Sequence, residues 1–303
     1  MAINLIEKYL PVMVEAFSKA SVTEPLLKNQ TITSQTTNAK KFKYPKSTFD
    51  GYKPYNKTGE NTNSNFSLEW VEAEFTQDRY AQIYIDAAEN EETMDVAFQT
   101  ALAQVISGAV KEVDAYRFTK MAEGAKVKDE TVLTEGNIIS IFNKGIQSLL
   151  DNESSNVPVI LVNNKHYSKV IGSTELQKTL NITSNTGSVD TRLANYNGSP
   201  VIFVNSKLMK KTLSLTNGSY FANADTAKDI NVIVIDMAAF LASAKIIIER
   251  IFAPTEELKV KYGADGITPP GQVGWIIEAR VYHDAWDMKG QEGKIYANVE
   301  ADA

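Results

Sequence analysis

A long helical face between Glu91 and Ala122 constrains this chain more than any other feature of its sequence. Apolar residues recur there every three or four positions, the spacing of one face of an α-helix. At ~1.5 Å per residue the helix would be about 45 Å long, well beyond the usual three turns. It predicts a spine on which other elements pack, and Gly108 in its middle indicates a close contact or a bend. The face consists of Met94, Phe98, Leu102, Val105, Ala109, Val113 and Tyr116.

The segment from Lys40 to Asp86 predicts a long extended hairpin. Its middle, Pro54 to Asn65, is almost wholly Lys, Asn, Thr, Gly and Ser, which favour turns. Apolar and polar residues alternate on both sides, around Phe42 to Tyr44 and from Phe66 to Val71, as in strands. A turn is expected at Asp78 and Arg79. Because a two-stranded ribbon is marginal in water, another element must support it.

The rest of the chain mixes helices with short strands, which is typical of an α/β or α+β domain. Residues 3–20 have helical spacing, and Glu24 to Ala39 predicts an extended arm with too little apolar content to fold alone. Further helices are expected at Thr134–Asp151, His166–Ile171 and Met237–Ala244, and strands at Val157–Val162, Pro200–Val204, Ile230–Ile235, Lys245–Phe252, Gly274–Asp287 and Lys294–Val299.

The composition excludes most catalytic and metal-binding chemistry. The 303 residues contain no cysteine and two histidines, which removes disulfides, thiolate sites and nearly every histidine-built centre. His283 and Asp284 are adjacent in a predicted strand and point to opposite faces, so they cannot form a catalytic pair, and His283 is expected in the core. His166 is expected to cap a helix or to be exposed. We therefore predict no enzyme, no cofactor and no metal.

The overall charge and hydropathy exclude two further classes. A net charge of −6 argues against a protein that holds nucleic acid by neutralising phosphates. No segment approaches the roughly 20 apolar residues of a membrane span, and the first ten residues lack the pattern of a signal peptide. The sequence thus predicts a soluble globular chain.

Two neighbouring segments carry opposite charge. Six lysines and one aspartate lie from Lys40 to Lys57, and nine acids and one arginine from Glu69 to Asp95. Two compatible interpretations are open. The charges pair within one hairpin, or the basic arm lies on the acidic helix start of a neighbouring copy, a contact that closes a ring or propagates. The expected assembly-interface residues are Lys40, Lys41, Lys43, Lys53, Lys57, Trp70, Glu72, Glu91, Glu92 and Asp95.

The order of arm, hairpin, spine helix, mixed domain and final long strand resembles the major capsid proteins of tailed double-stranded DNA phages, which have the Hong Kong 97-type fold. Local motifs are similar to members from phages of Gram-positive bacteria, and the resemblance covers nearly the whole chain. The motifs are EKYLPVMVEAFSKASVTEPLL (Glu7 to Leu27), FTQDRYAQIYID (Phe75 to Asp86), EVDAYRFTKMAEGA (Glu112 to Ala125), NGSPVIFVNSKLM (Asn197 to Met209) and ARVYHDAWDMKGQEGKIYANV (Ala279 to Val299).

The resemblance implies an α+β fold with four parts. Residues 1–39 would be the N-terminal arm and 40–86 the extended loop. Residues 87–133 and 253–303 would form the peripheral domain with its spine helix, and 134–252 a mixed α/β axial domain.

The resemblance also implies a function, namely assembly as pentamers and hexamers into an icosahedral virion shell around packaged DNA, in the bacterial host cytoplasm. Without a long built-in scaffold at the N-terminus, a separate scaffolding protein is implied, together with a portal and a possible decoration protein. Two alternatives are open: an encapsulin-type nanocompartment shell, and a soluble α/β ligand-binding or hydrolytic protein.

Overall fold

The computed structural model describes residues 2–27, 35–38, 41–86, 94–173, 195–215, 227–252 and 274–301. Their helices are α1 (Ala2–Ala20), α2 (Glu24–Leu27), α3 (Met94–Glu123), α4 (Ile138–Asp151) and α5 (Tyr167–Gly172). Their strands are β1 (Gln35–Asn38), β2 (Lys41–Phe49), β3 (Phe66–Glu74), β4 (Gln77–Asp86), β5 (Val127–Asp129), β6 (Val159–Asn163), β7 (Asn195–Tyr196), β8 (Ser199–Val204), β9 (Ile230–Ile235), β10 (Phe240–Phe252), β11 (Gly274–Asp287) and β12 (Ile295–Val299).

The strands form three sheets, which confirms the α+β class. The hairpin sheet has the order β1-β2-β3 and is antiparallel. A second antiparallel sheet, here called the long sheet, has the order β10-β11-β4. A third, mixed sheet of six strands has the order β5-β12-β9-β6-β8-β7.

The predicted spine helix is present as the 30-residue α3, and it joins two cores. From Ala101 to Val113 the helix packs with α1 on the long sheet, in a buried cluster that contains Leu102, Val113 and Ile277. Its second half packs on one face of the six-stranded sheet through residues such as Phe118 and Met121. Helix α4 covers the opposite face of that sheet. One helix therefore fixes the two sheets relative to each other.

Three expected local structures are wrong, each because tertiary contacts outweigh local propensity. Only Met237–Ala239 is helical, a single 3₁₀ turn, and the chain from Phe240 onward pairs with β11. Asp78 and Arg79 are not a turn but part of β4, where Asp78 bonds Arg280 across the sheet. The arm after Glu24 begins as a helical turn, α2.

The division into arm, loop, peripheral and axial domains stays a prediction. Two of the sheets combine strands that come from different predicted parts. Strand β12, from the segment 253–303, lies between β5 and β9 in the six-stranded sheet. Strand β10, from the segment 134–252, pairs along its length with β11. The final segment of the chain thus belongs to both sheets.

Gly108 does not make the close contact that was one of the two structures expected there. A Cβ built on Gly108 would meet no atom within 4 Å. Because glycine costs about 0.5–1 kcal/mol relative to alanine inside a helix, we expect Gly108→Ala to stabilise the unassembled subunit by about that amount. Urea unfolding of the two chains measures the difference, and a destabilised variant would contradict the expectation.

Asp129, at the edge of the six-stranded sheet, predicts a pH dependence of stability. Burial opposes its ionisation, but hydrogen bonds from Thr131 and Tyr296 and the nearby charge of Lys144 hold the pKa of Asp129 at about 2. An unfolded aspartate titrates at ~3.9, so this stabilisation is complete above that pH and is lost as the pH falls toward 2. We expect Asp129→Asn to cost about 1–2 kcal/mol at neutral pH and almost nothing near pH 2, after allowance for solvent screening.

Unfolding by urea across this pH range tests the expectation, with Asp151→Asn at the exposed end of α4 as the control. If Asp129→Asn lost the same free energy of unfolding near pH 2 as at neutral pH, the expectation would be wrong, because the loss of a packing contact does not depend on pH.

Candidate assembly interface

The hairpin formed by β2 and β3 is a ribbon with two different faces. The pairs Phe49 with Phe66, Ser47 with Leu68 and Pro45 with Trp70 lie directly opposite one another. Since alternate residues of a strand share a face, these six side chains form one surface. The residues between them, including Tyr44 and Val71, lie on the other face.

The first of these surfaces, here called the apolar face, is open to solvent. Phe66 is 66% exposed, Leu68 52% and Trp70 39%, and Phe49 beside them is also exposed. These aromatic and aliphatic side chains lie on two paired strands, so they are contiguous rather than scattered. A contiguous apolar surface of this kind marks an interaction site in a soluble protein.

The opposite face of the ribbon attaches the hairpin to the body of the molecule. Tyr44, Val71 and Ala73 are buried there in a small cluster with Leu241 of β10. Burial raises the pKa of the Tyr44 phenol. Trp286 of the long sheet packs at the edge of this cluster. The support that a lone ribbon requires therefore comes from the end of the long sheet.

A buried carboxylate, Asp284, fixes the corner between β3 and β4. Its Oδ2 accepts hydrogen bonds from the backbone N–H of Thr76 at 2.8 Å and from the Thr76 hydroxyl at 2.6 Å. Its Oδ1 accepts a hydrogen bond from the Tyr116 hydroxyl of α3 at 2.9 Å. The hairpin base is thus tied to the spine helix, a role that the sequence did not reveal because Asp284 and its partners lie far apart in the chain.

The charges at the hairpin base pair within the subunit, as the first interpretation predicts. The Lys41 ammonium lies 3.3 Å from Glu74 and 3.6 Å from Glu72, and the hydrogen bond to Glu74 raises the pKa of Lys41. Lys43 lies opposite Glu72 in the register. Exposed ion pairs of this kind contribute little to the stability of the fold, so they are not what keeps the ribbon in place.

The tip of the hairpin, residues 50–65, presents aromatic and basic side chains to solvent. Tyr52 is 97% exposed and Tyr55 80%, and Lys53 and Lys57 are exposed beside them. Side-chain and backbone hydrogen bonds among polar residues shape the tip, such as that from the Ser64 hydroxyl to the Gly51 carbonyl at 2.6 Å. The turn chemistry expected from the sequence is present.

Four of the predicted interface residues lie wholly or partly outside the described structure. Lys40, Glu91 and Glu92 lie outside the described residues. Asp95 lies in α3, but its side chain is outside the described part of the structure. The second interpretation, a basic arm on the acidic helix start of a neighbour, therefore stays a prediction.

Both histidines are buried. His283 packs its ring edge to face on Tyr116, with centroids 5.1 Å apart, in the core as expected. His166 is also buried, so the expected exposure is wrong. It occupies the N-cap position of α5, but its side chain makes no capping hydrogen bond, and its Nε2 lies 2.8 Å from Asn231 Oδ1. Burial lowers the pKa of His166. Within the described ranges no cluster of His, Asp or Glu could hold a metal ion, and no helix there is long and apolar enough to cross a membrane.

No protein-family model and no curated protein matches the sequence. Solved structures do match the fold. The mature capsid of bacteriophage PhiM1 aligns with a TM-score of 0.59 at 8% sequence identity, over 88% of this chain and 84% of that chain. The capsid of cyanophage P-SCSP1u aligns with a TM-score of 0.56 at 10% identity, over 89% and 86%. A structure of Microbacterium phage Oxtober96 aligns with a TM-score of 0.56 at 9% identity, over 88% of each chain.

At such low identity the likeness is one of fold, and it extends over nearly the whole chain. The resemblance of the sequence implied the same fold. This chain has the Hong Kong 97-type α+β fold of tailed-phage capsid proteins.

Proposed function

We propose that the chain is a major capsid protein, a subunit that assembles with copies of itself into a closed shell. The observation that carries the proposal is the apolar face of the hairpin, which is exposed in the single subunit although the opposite face is buried at its base against the long sheet. The fold that it shares with phage capsids supports the same conclusion.

The geometry of the hairpin favours a partner that is another copy of the chain. Strand β3 has no second neighbour among the described strands, since the order is β1-β2-β3. Its outer edge and the apolar face together offer backbone and side-chain contacts, while the base remains fixed to the long sheet. A contact between the hairpin of one copy and a different surface of the next is heterologous, and it generates rings when it closes.

Rings of five and six such subunits would form the pentamers and hexamers of an icosahedral shell enclosing phage DNA. The net charge of −6 is compatible with a shell that encloses DNA, because it leaves contact with the DNA weak and non-specific. A separate scaffolding protein, a portal and a decoration protein would complete the particle, which would be assembled in the host cytoplasm and retained as the virion capsid.

Assembly is tested on the purified chain, alone and with the scaffolding protein encoded beside it. We expect rings or closed shells by electron microscopy and a fast-sedimenting species in ultracentrifugation. A chain that stays monomeric under both conditions would overturn the proposal. The flanking genes distinguish the rival shell: terminase, portal and scaffold genes indicate a phage, whereas a cargo enzyme gene indicates an encapsulin.

A further inference from the structure

A ladder of hydrogen bonds between polar side chains crosses the six-stranded sheet at one end of its strands. It links the segment after β6 to β9, β9 to β12, and β12 to the chain that follows β5, which is the order of these strands in the sheet. His166 Nε2 lies 2.8 Å from Asn231 Oδ1. Asn231 Nδ2 donates to Asn298 Oδ1 at 2.9 Å, and Asn298 Nδ2 donates to the Thr131 carbonyl at 3.0 Å. The ladder thus joins the ends of four neighbouring strands.

The ladder determines which nitrogen of His166 carries the proton. A backbone carbonyl only accepts hydrogen bonds, so Asn298 donates to Thr131 through its Nδ2 and accepts from Asn231 through its Oδ1. Asn231 then presents its own Oδ1, which is also an acceptor, to the imidazole ring. His166 Nε2 is therefore the protonated nitrogen, and Nδ1 of the neutral ring carries a lone pair.

The Nδ1 atom of His166 is in surroundings that oppose a second proton. It is a buried atom without a hydrogen bond among the described residues, and the side chain as a whole is buried. A ring protonated there would have a donor without an acceptor and a positive charge removed from water. Burial accordingly lowers the pKa of His166, and the hydrogen bond to Asn231 opposes this shift only in part.

The charged groups near the imidazole ring do not accommodate a second proton either. Lys165 and Lys169, on the same segment as the ring, lower its pKa further, and Asp229, immediately before β9, has a smaller effect in the opposite direction. Asp229 is already paired, since the ammonium groups of Lys165 and Lys210 each lie 2.7 Å from one of its oxygens. Glu300, after β12, accepts a hydrogen bond from the Asp229 backbone N–H at 3.1 Å. Among these described groups none is hydrogen-bonded to Nδ1.

The segment that carries the ring, Asn164–Gly172, has few buried contacts with the sheet. It consists of one 3₁₀ turn and the six-residue α5, and its buried side chains are those of His166 and Val170. Tyr167 adds a partly exposed ring contact with Phe203. So short a helix is not stable without tertiary contacts. Because segments with few buried contacts open at a lower free energy than the core, loss of the ring contact would release this segment first.

We propose that His166 is an acid-sensitive switch for this part of the fold. A proton on Nδ1 breaks the ladder at its histidine end and releases the segment Asn164–Gly172 from β9, while the six-stranded and long sheets remain folded. The switch requires no assembly partner, so it does not depend on the proposed function.

The pH range of the switch follows from the two states of the ring. Since the pKa of His166 in the folded chain lies below the ~6.5 of an unfolded histidine, the open or unfolded chain binds more protons as the pH falls. The stabilisation from the neutral ring is therefore complete above about pH 6.5 and is lost as the pH falls toward the pKa of the folded state.

Long-range ¹H–¹⁵N NMR spectra of the histidine rings in the unassembled subunit test the ladder directly. We expect the proton of His166 to be on Nε2 at about pH 8, where a histidine ring is neutral, and the ring to titrate below the ordinary ~6.5. A proton on Nδ1, or a titration at or above ~6.5, would overturn the proposal. The parent chain is used, so this test does not require that a variant folds.

A substitution that removes only the titration provides the matched test on the protein side. His166→Gln keeps an N–H donor for Asn231 but does not bind a proton. From about pH 8 to about pH 5.5, the equilibrium constant for urea unfolding should rise at least about fivefold more in the parent than in this variant. Ser168→Gln, at an exposed position of α5, keeps the ring and should behave as the parent. The same pH dependence in His166→Gln as in the parent would contradict the switch.

Hydrogen exchange separates release of the segment from a general effect of acid. Protection of the amides of Asn164–Gly172, relative to an unstructured chain at the same pH, should fall near pH 5.5 in the parent and in Ser168→Gln but not in His166→Gln. The amides of β6 and β9 should stay protected in all three chains. Equal loss of protection in the segment and in these strands would show that acid unfolds the whole sheet and that no local switch exists. Unassembled subunits are used throughout, so the results are independent of whether shells form.

Discussion

Leu68→Lys is expected to abolish shell assembly and to leave the subunit folded. Leu68 lies in the centre of the apolar face between Phe66 and Trp70 and is 52% exposed. A buried contact with a neighbouring copy cannot accept an unpaired ammonium group without a cost of several kcal/mol. Such a cost at each of many repeated contacts leaves no stable ring. In the free subunit the lysine stays in water, so the free energy of unfolding should change by less than about 0.5 kcal/mol.

The matched control is Ser67→Lys, one position away on the opposite face of the same strand. It adds the same charge at an exposed site, and we expect it to assemble. Sedimentation velocity and electron microscopy compare the two variants with the parent, and urea unfolding verifies their folds. Assembly of the Leu68 variant at the parent concentration would show that the apolar face is not the contact surface.

The elements that determine this interface were largely predictable from the sequence. The alternation at Phe66, Leu68 and Trp70 predicted a strand, and the structure confirms it. The spacing along α3 predicted the spine, which begins and ends close to the expected residues. Periodicity identifies which side chains share a face. It does not say whether that face is covered, because covering depends on residues far away in the chain, so only Trp70 of the three was expected at the interface.

The contacts that hold the parts together were not predictable for the same reason. Asp284 bonds Thr76 across more than 200 positions, and β12, from the end of the chain, lies between β5 and β9 in the six-stranded sheet. Residues 3–20 were predicted to be helical, as α1 is, but their spacing did not identify the long sheet as the surface on which Met13 and Phe17 are buried. None of these pairings leaves a local signal in the sequence.

The attachment of the N-terminal arm to the rest of the subunit depends on one buried carboxylate. This is Asp114 of α3, which is 1% exposed. It accepts hydrogen bonds from the Ser21 hydroxyl at 2.7 Å, the Val22 N–H at 2.9 Å and the Thr23 hydroxyl at 2.5 Å. One helical turn away, the fully buried Arg117 donates to the same Thr23 hydroxyl at 2.7 Å and pairs with Glu24. The end of the arm is thus fixed to the spine by a closed network of charges and hydroxyls.

We expect Asp114→Asn to destabilise the subunit by about 3 kcal/mol or more. The amide keeps one acceptor and places an N–H group among donors, which leaves buried polar groups unsatisfied and removes a buried negative charge one helical turn from Arg117. The control Glu123→Gln makes the same acid-to-amide change on the same helix, in an exposed pair with Lys120 at 2.7 Å, and should cost less than about 1 kcal/mol. Urea unfolding measures both, and hydrogen exchange at residues 21–27 should increase in the Asp114 variant alone, because releasing this anchor frees the arm before the core unfolds. Equal losses for the two variants would show that the arm is held by the apolar contacts of α1 and not by the buried carboxylate.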